Sequence, residues 1–258
     1  MSADETPRRT RTREATGTIR EYRPEDREVV REICRRTAYR NRGSAALFED
    51  DELFADYWTK YYTDHEPESC LVVEEDGVVI GYLIGCVDTL RMIKVMGRGI
   101  VPGIIGKMLW RAATGRYKNP ATLRTMRWMF FHSWREAPSI PLRKYPAHYH
   151  CNILRRGHGK NYYTSTVLRF LDYLDSKGVE RLHGQIEEPA ASGVWRQMVD
   201  NYMVASNQVG LLELYAEKPS HFQRVILGEQ KPMLNKAWGA TVSDYRGWVE
   251  WTAKKYHM

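Results

Sequence analysis

One stretch narrows the choice of fold more than any other: Cys70-Leu-Val-Val-Glu-Glu-Asp-Gly-Val-Val-Ile-Gly-Tyr-Leu-Ile-Gly-Cys86. Two β-rich runs flank Asp76-Gly77, and Asp-Gly is a dipeptide that readily adopts the backbone of a two-residue hairpin turn. The chain must therefore build a sheet around an antiparallel pair. Upstream, residues 17–23 alternate apolar and polar as a first strand does. Pro24-Glu25-Asp26 then opens a helix with its acids at the favourable end of the dipole, and the helix runs to about Tyr39. Leu53, Phe54, Tyr57 and Tyr61 give a second helical face over Glu52–Tyr62.

The later chain repeats a strand, loop and helix unit. Ala147–Leu154 reads as a strand, Arg155–Lys160 as a glycine-containing loop, and Tyr162–Lys177 as a helix burying Val167, Leu168, Leu171 and Leu174. Gly178 caps that helix and Val179–Ile186 forms the next strand. A helix near Ser192–Val199 and strands near Tyr202–Ser206 and Gly210–Tyr215 complete a mixed sheet. The expected layout is one domain over 17–217, preceded by a disordered basic tail at 1–16. A C-terminal extension over 218–258 packs on it through Trp238, Tyr245, Trp248 and Trp251.

Composition bounds the class. The chain has 258 residues, 43% of them hydrophobic and 28% charged, which suits one extended globular domain. Cys34, Cys70, Cys86 and Cys151 are too scattered for a zinc site and read as reduced thiols of a cytoplasmic protein; no metal is expected. The first residues lack the apolar core of a signal peptide, and no apolar run reaches the length of a spanning helix.

The net charge of +7 is unevenly placed: between Arg91 and Lys144 twelve Lys or Arg face one acid, Glu136, leaving −4 for the rest. This segment lies inside a helical insertion over 89–144, in which Ile100–Trp110 and Leu123–Trp134 interleave apolar and aromatic residues with cations. Three readings stand side by side: a lid packed on the domain, an anionic membrane surface as partner, or contact with RNA such as tRNA through residues 91–144.

The segments IREYRPEDREVVREICRR, CLVVEEDGVVIGYLIG and YPAHYHCNILRRGHGKNYYTSTVLRFLDYLDSKGVERLHGQI together resemble the GNAT superfamily of N-acetyltransferases, over about 17–215 apart from the insertion. Pairing of YPAHYH with a strand that ends in Cys86-Val87-Asp88-Thr89 is most similar to the bacterial and O-GlcNAcase-associated acetyltransferase-like domains. The resemblance implies an α/β (α+β) fold, a mixed central sheet flanked by helices. It also implies an N-acyltransferase that takes its acyl group from acetyl-CoA or another acyl-CoA and passes it to a small-molecule amine. An aminoacyl-tRNA donor and a catalytically inactive binding domain are the alternatives.

A pyrophosphate is held by backbone N–H groups at a helix N-terminus. The superfamily's Gln/Arg-x-x-Gly-x-Gly/Ala loop corresponds either to Arg156, Gly159 and Asn161 or, without a gap, to His158, Asn161 and Tyr163. The resemblance thus assigns the donor to Cys151 and Ile153 of the strand and to Arg156, Gly157, His158, Gly159, Lys160, Asn161 and Tyr162 of the loop. Acyl transfer to an amine needs a base, and His148, His150 and Asn152 share one strand face. His150 and His148 lead as catalytic candidates, with Asp88 third. Tyr202 and Tyr215 are candidates for the thiolate's acid, and Glu187-Glu188 for holding a cationic substrate.

Overall fold

A computed structural model describes residues 17–191, 193–206, 213–222, 228 and 231–256. The tail at 1–16 lies outside the described residues. Strand β1 (Thr18–Glu21) leads through a 3-10 turn into helix α1 (Arg27–Asn41), followed by α2 (Asp51–His65). Buried Arg31 of α1 donates to Asp56 of α2 at 2.5 Å and ties the two helices together. Strands β2 (Leu71–Glu75) and β3 (Val78–Cys86) form the expected hairpin. Asp76 and Gly77 have φ of 52° and 73°, the two left-handed positions that the Asp-Gly signal predicts.

Strand β4 (His148–Ile153) pairs antiparallel with β3 and closes a sheet of order β1-β2-β3-β4. One face buries Val72, Tyr82 and Ile84 against α1 and α2. The other buries Leu71 and Leu83 against helix α7 (Tyr162–Ser176), whose Phe170, Leu171 and Leu174 are fully enclosed.

Between β3 and β4 lie α3 (Thr89–Val95), a π turn, α4 (Val101–Ala113), α5 (Pro120–Phe131) and the short α6 (Ser133–Glu136). These helices take up most of the segment between the two strands. Arg111 of α4 pins it down: its guanidinium donates to both oxygens of buried Asp50 at 2.6 and 2.8 Å, and the Tyr117 hydroxyl donates to the same carboxylate at 2.7 Å. Burial alone would raise the Asp50 pKa, but the donors Tyr117 and Arg111 outweigh it and hold it below the usual range. Gly106 sits mid-helix in α4, and a Cβ there would meet nothing within 4 Å. Gly106→Ala is therefore expected to stabilise the chain by about 0.5–1 kcal/mol in denaturant titration, since glycine loses more backbone freedom than alanine.

A second sheet follows, built from β5 (Arg181–Pro189), β6 (Glu213–Ser220) and β7 (Met233–Thr241) in the order β5-β7-β6. Helix α8 (Val194–Ser206) precedes β6, and α9 (Val242–Tyr256) follows β7. Two expectations change here. Tyr202–Ser206, expected as a strand, is the last turn of α8: Val199 and Tyr202 recur at helical spacing on its buried side, and the Ser206 hydroxyl bonds back to the Tyr202 carbonyl at 2.7 Å. The stretch 218–258 does more than pack on the domain, because β7 is the middle strand of the second sheet. Of the expected strand near Gly210–Tyr215, residues 210–212 lie outside the described residues and Glu213 begins β6.

Candidate active site

The two sheets touch at one point. Ala147 and Leu182 form a parallel bridge, with the His183 N–H donating to the Ala147 carbonyl at 2.8 Å. Beyond that bridge no described strand pairs with β4 on this side, and the sheets part. The register fixes what β4 shows to the gap. The Leu154 N–H donates to Ile80 across the β3–β4 ladder at 2.8 Å, so the even-numbered residues of β4 bond inward. The odd-numbered ones, Tyr149, Cys151 and Ile153, turn their N–H and C=O groups outward, as the Ala147 carbonyl confirms. An exposed strand edge is a template for an extended chain carrying amides of its own.

The gap widens into a cleft of about 680 Å³ whose walls come from α2, α3, β4, the start of α7, β5, β7 and α9. Tyr57, Trp58, Met96, Trp195, Trp238 and Trp248 give it an aromatic and thioether lining, and among the described residues that line it none is Asp, Glu, Lys or Arg. Gly184 of β5 makes one wall possible: a Cβ there would sit 2.4 Å from the Trp238 ring. Trp238 stacks on Tyr245 of α9 at 4.9 Å, and the Tyr245 and Tyr149 hydroxyls are 2.6 Å apart. Tyr163 extends this hydroxyl chain, 3.1 Å from Tyr149. Their packed surroundings raise the pKa of all three phenols, so they stay protonated. The indole nitrogen of Trp248 is buried with no hydrogen-bond partner among the described residues.

Three histidines face this space in different states. His148 is buried, its Nε2 2.8 Å from the Tyr62 hydroxyl and its Nδ1 2.7 Å from the Thr89 hydroxyl. The Thr89 hydroxyl gives its only hydrogen to the Pro146 carbonyl at 2.6 Å. His148 therefore donates from Nδ1, and Nε2 accepts from Tyr62. Burial lowers its pKa well below the ordinary value, helped by His183 and His150. With both nitrogens engaged, His148 is a neutral element of a Tyr62–His148–Thr89 chain.

His150 stands at the cleft wall, open to solvent and edge-on to Trp58 at 5.4 Å, and its crowded surroundings lower its pKa. His183, which sequence reasoning passed over, donates from Nδ1 to the Tyr145 carbonyl at 2.7 Å. Its Nε2 thus carries the free lone pair, and burial lowers its pKa too. Among the described residues no three His, Cys, Asp or Glu side chains are placed as metal ligands.

The remaining expected site residues divide. Asp88 is a helix cap, its carboxylate accepting from the Arg91 N–H at 3.0 Å, and it does not line the cleft. Gly159 (φ 75°) and Asn161 (φ 58°) take left-handed backbone just before α7, leading the chain into a helix whose first N–H groups have no intrahelical partner. Asn161 makes no side-chain cap bond there. Arg156 is exposed on the loop.

The others brace the loop. A Cβ on Gly157 would lie 2.7 Å from Ile153, so glycine serves close packing there. His158 spends Nε2 on the Ile153 carbonyl at 3.0 Å. Lys160 and Tyr162 both reach Glu75, at 2.5 and 2.9 Å. Tyr202 is buried against Gly247 of α9, away from the cleft, and the Tyr215 side chain lies outside the described residues. Glu187 accepts from Ser220 and Glu188 pairs with Lys236, so neither acid meets the cleft.

No family model matches the chain. The solved structure of a protein called SsHAT aligns with 88% of this chain and 99% of its own, at 23% identity and a TM-score of 0.55. An N-acetyltransferase from Staphylococcus aureus Mu50 aligns over 88% and 99% at 11% identity and a TM-score of 0.45. A ribosomal-protein-alanine N-acetyltransferase from Brucella melitensis aligns over 85% and 98% at 13% and 0.43. The likeness to SsHAT shows the fold, the α/β arrangement of sheet flanked by helices that the sequence resemblance implies, although the single mixed sheet expected is here two antiparallel sheets joined by one parallel bridge.

Proposed function

We propose that this protein is an N-acyltransferase that moves an acyl group from an acyl-coenzyme A thioester to an amine. One observation carries the reading: the outward backbone edge of β4 at Tyr149 and Cys151, opening into a cleft beside the N-terminus of α7. An extended diamide arm fits such an edge, and its phosphates would meet the Gly159–Asn161 turn with Arg155 and Arg156 near at hand. The unpartnered indole N–H of Trp248 in the cleft wall is a donor that a carbonyl of the bound substrate would satisfy.

The donor brings an acyl carbon already activated as a thioester. His183 takes the ammonium proton of the acceptor at Nε2, its tautomer held by the Tyr145 carbonyl. His150, exposed and lining the same cleft, would pass that proton on to water. The Tyr163–Tyr149–Tyr245 chain offers a phenolic proton to the departing thiolate. With no ionic side chain among the described cleft residues, the acceptor is an amine with an apolar or aromatic body and no second charge.

Isothermal titration with acetyl-CoA and with a longer acyl-CoA tests this. Micromolar to submillimolar binding is expected, weakened in a Tyr163→Ala and Cys151→Pro pair of variants. Proline at 151 removes one outward N–H without touching the inward ladder. Absence of heat with every acyl-CoA would end the reading, and binding of tRNA in its place would shift the donor to an aminoacyl ester.

A further inference from the structure

We infer that the insertion is a docking element for an anionic lipid surface. Helix α5 buries Ala121, Thr122, Thr125 and Met126 and turns Leu123, Arg124, Arg127, Phe130 and Phe131 to solvent. Leu123, Arg127, Phe130 and Phe131 recur at i, i+4, i+7 and i+8, one stripe of the helix. Phe131 is 63% exposed and Trp134 of α6 65%, while α4 shows Trp110 at 70% beside Leu109. Trp128 supplies the contrast. It turns inward, its indole N–H bonded to Glu136 at 2.9 Å and its ring 4.5 Å from Phe222. The outward aromatics are therefore not the general condition of this segment.

Charge selects the occupant. Arg124, Arg127 and Arg135 lie on or beside the stripe with no acid among its outward residues, and none of the three forms an ion pair among the described residues. A second copy meeting this face symmetrically would set arginine against arginine. An anionic partner is required. The apolar groups are leucine and phenylalanine as well as tryptophan, spread over convex helices. Phosphates of an RNA would leave Leu109, Leu123 and Phe130 in water, whereas the headgroup and acyl boundary of a bilayer takes both the cations and the apolar side chains. Arg135 already lies over the Trp134 ring at 4.9 Å, an arrangement suited to a headgroup layer. No helix among the described residues is long and apolar enough to cross a membrane, so the contact is a surface one.

The test is co-sedimentation of the full chain with phosphatidylglycerol vesicles at low salt, which needs no turnover and is independent of the acyl-transfer reading. Binding is expected with these vesicles and not with phosphatidylcholine ones. It should fall at least about thirtyfold in Arg124→Glu/Arg127→Glu and comparably in Trp110→Ala/Phe131→Ala/Trp134→Ala, with unchanged thermal melting in both. The inference is overturned if wild type stays in the supernatant, or if the aromatic variant binds as wild type does. Concentration-dependent dimerisation abolished by the same aromatic variant, or tRNA displacing the vesicles with higher affinity, overturns it as well.

Discussion

His183→Ala is expected to lower kcat by roughly 10²–10⁴-fold while acyl-CoA affinity stays at the wild-type value. The basis is geometric: Nδ1 is committed to the Tyr145 carbonyl, so Nε2 is the lone pair left in the cleft. His183→Gln should fold equally well and be equally slow, which separates lost chemistry from lost packing. The pH profile carries the sign. A base works when neutral, and burial moves His183 below its ordinary value, so the acid limb of kcat/KM should fall below about pH 6.5 and be absent in the variants. His150→Ala should cost less, because that ring is open to water and makes no fixed bond; a larger loss there than at His183 would reverse the two roles. The same burial makes the fold acid-sensitive. Unfolded histidines bind protons below about pH 6.5, and buried His148 and His183 resist them. Stability is then complete above that pH and declines as pH falls through the window between the unfolded and the lowered folded values, by at most about 1.4 kcal/mol per pH unit per histidine.

The largest effect on stability is expected at Phe170. Its ring is fully buried, and it lies where a side chain on Gly85 would be, 2.1 Å from an ideal Cβ. Phe170→Ala should cost about 3–5 kcal/mol in denaturant unfolding, because α7 loses the contact that seats it on β3. Gly85→Ala should cost about 1–3 kcal/mol from the opposite fault, overpacking. The double change Gly85→Ala/Phe170→Leu should cost less than Gly85→Ala and Phe170→Leu measured separately and summed, since the two sites share one space. Simple additivity of the two costs would show that the ring does not rest on the glycine.

Much of this was legible before any coordinates. Asp76-Gly77 fixed the hairpin because that turn needs two left-handed residues. The α7 stripe was clear because Val167, Leu171 and Leu174 keep a helical period. Asp88-Thr89 also announced a helix cap, a signal masked by the position of Asp88 at the end of a strand. Other features were hidden for physical reasons. His183 sits in a strand where alternation does not tell an inward histidine from a structural one, and only its bond to Tyr145 sets the tautomer. The pairing of β7 between β5 and β6 depends on contacts between distant segments, and MLNKAWGAT carries too weak an alternation to announce a central strand. Trp238 and Tyr245 were readable as anchors, but not as the wall of the cleft, since that follows from Gly184 being small enough to admit the indole.

The place of β7 also dictates an order of assembly. As the chain leaves a ribosome, β5 and β6 emerge with no common partner, and each keeps a bare edge until Met233–Thr241 slides between them. Only then does Trp238 cover Gly184 and bring Tyr245 to Tyr149. The wall of the cleft is thus completed only after β5 and β6 have both emerged, and until then a nascent chain carries two sticky borders that a chaperone would do well to shield.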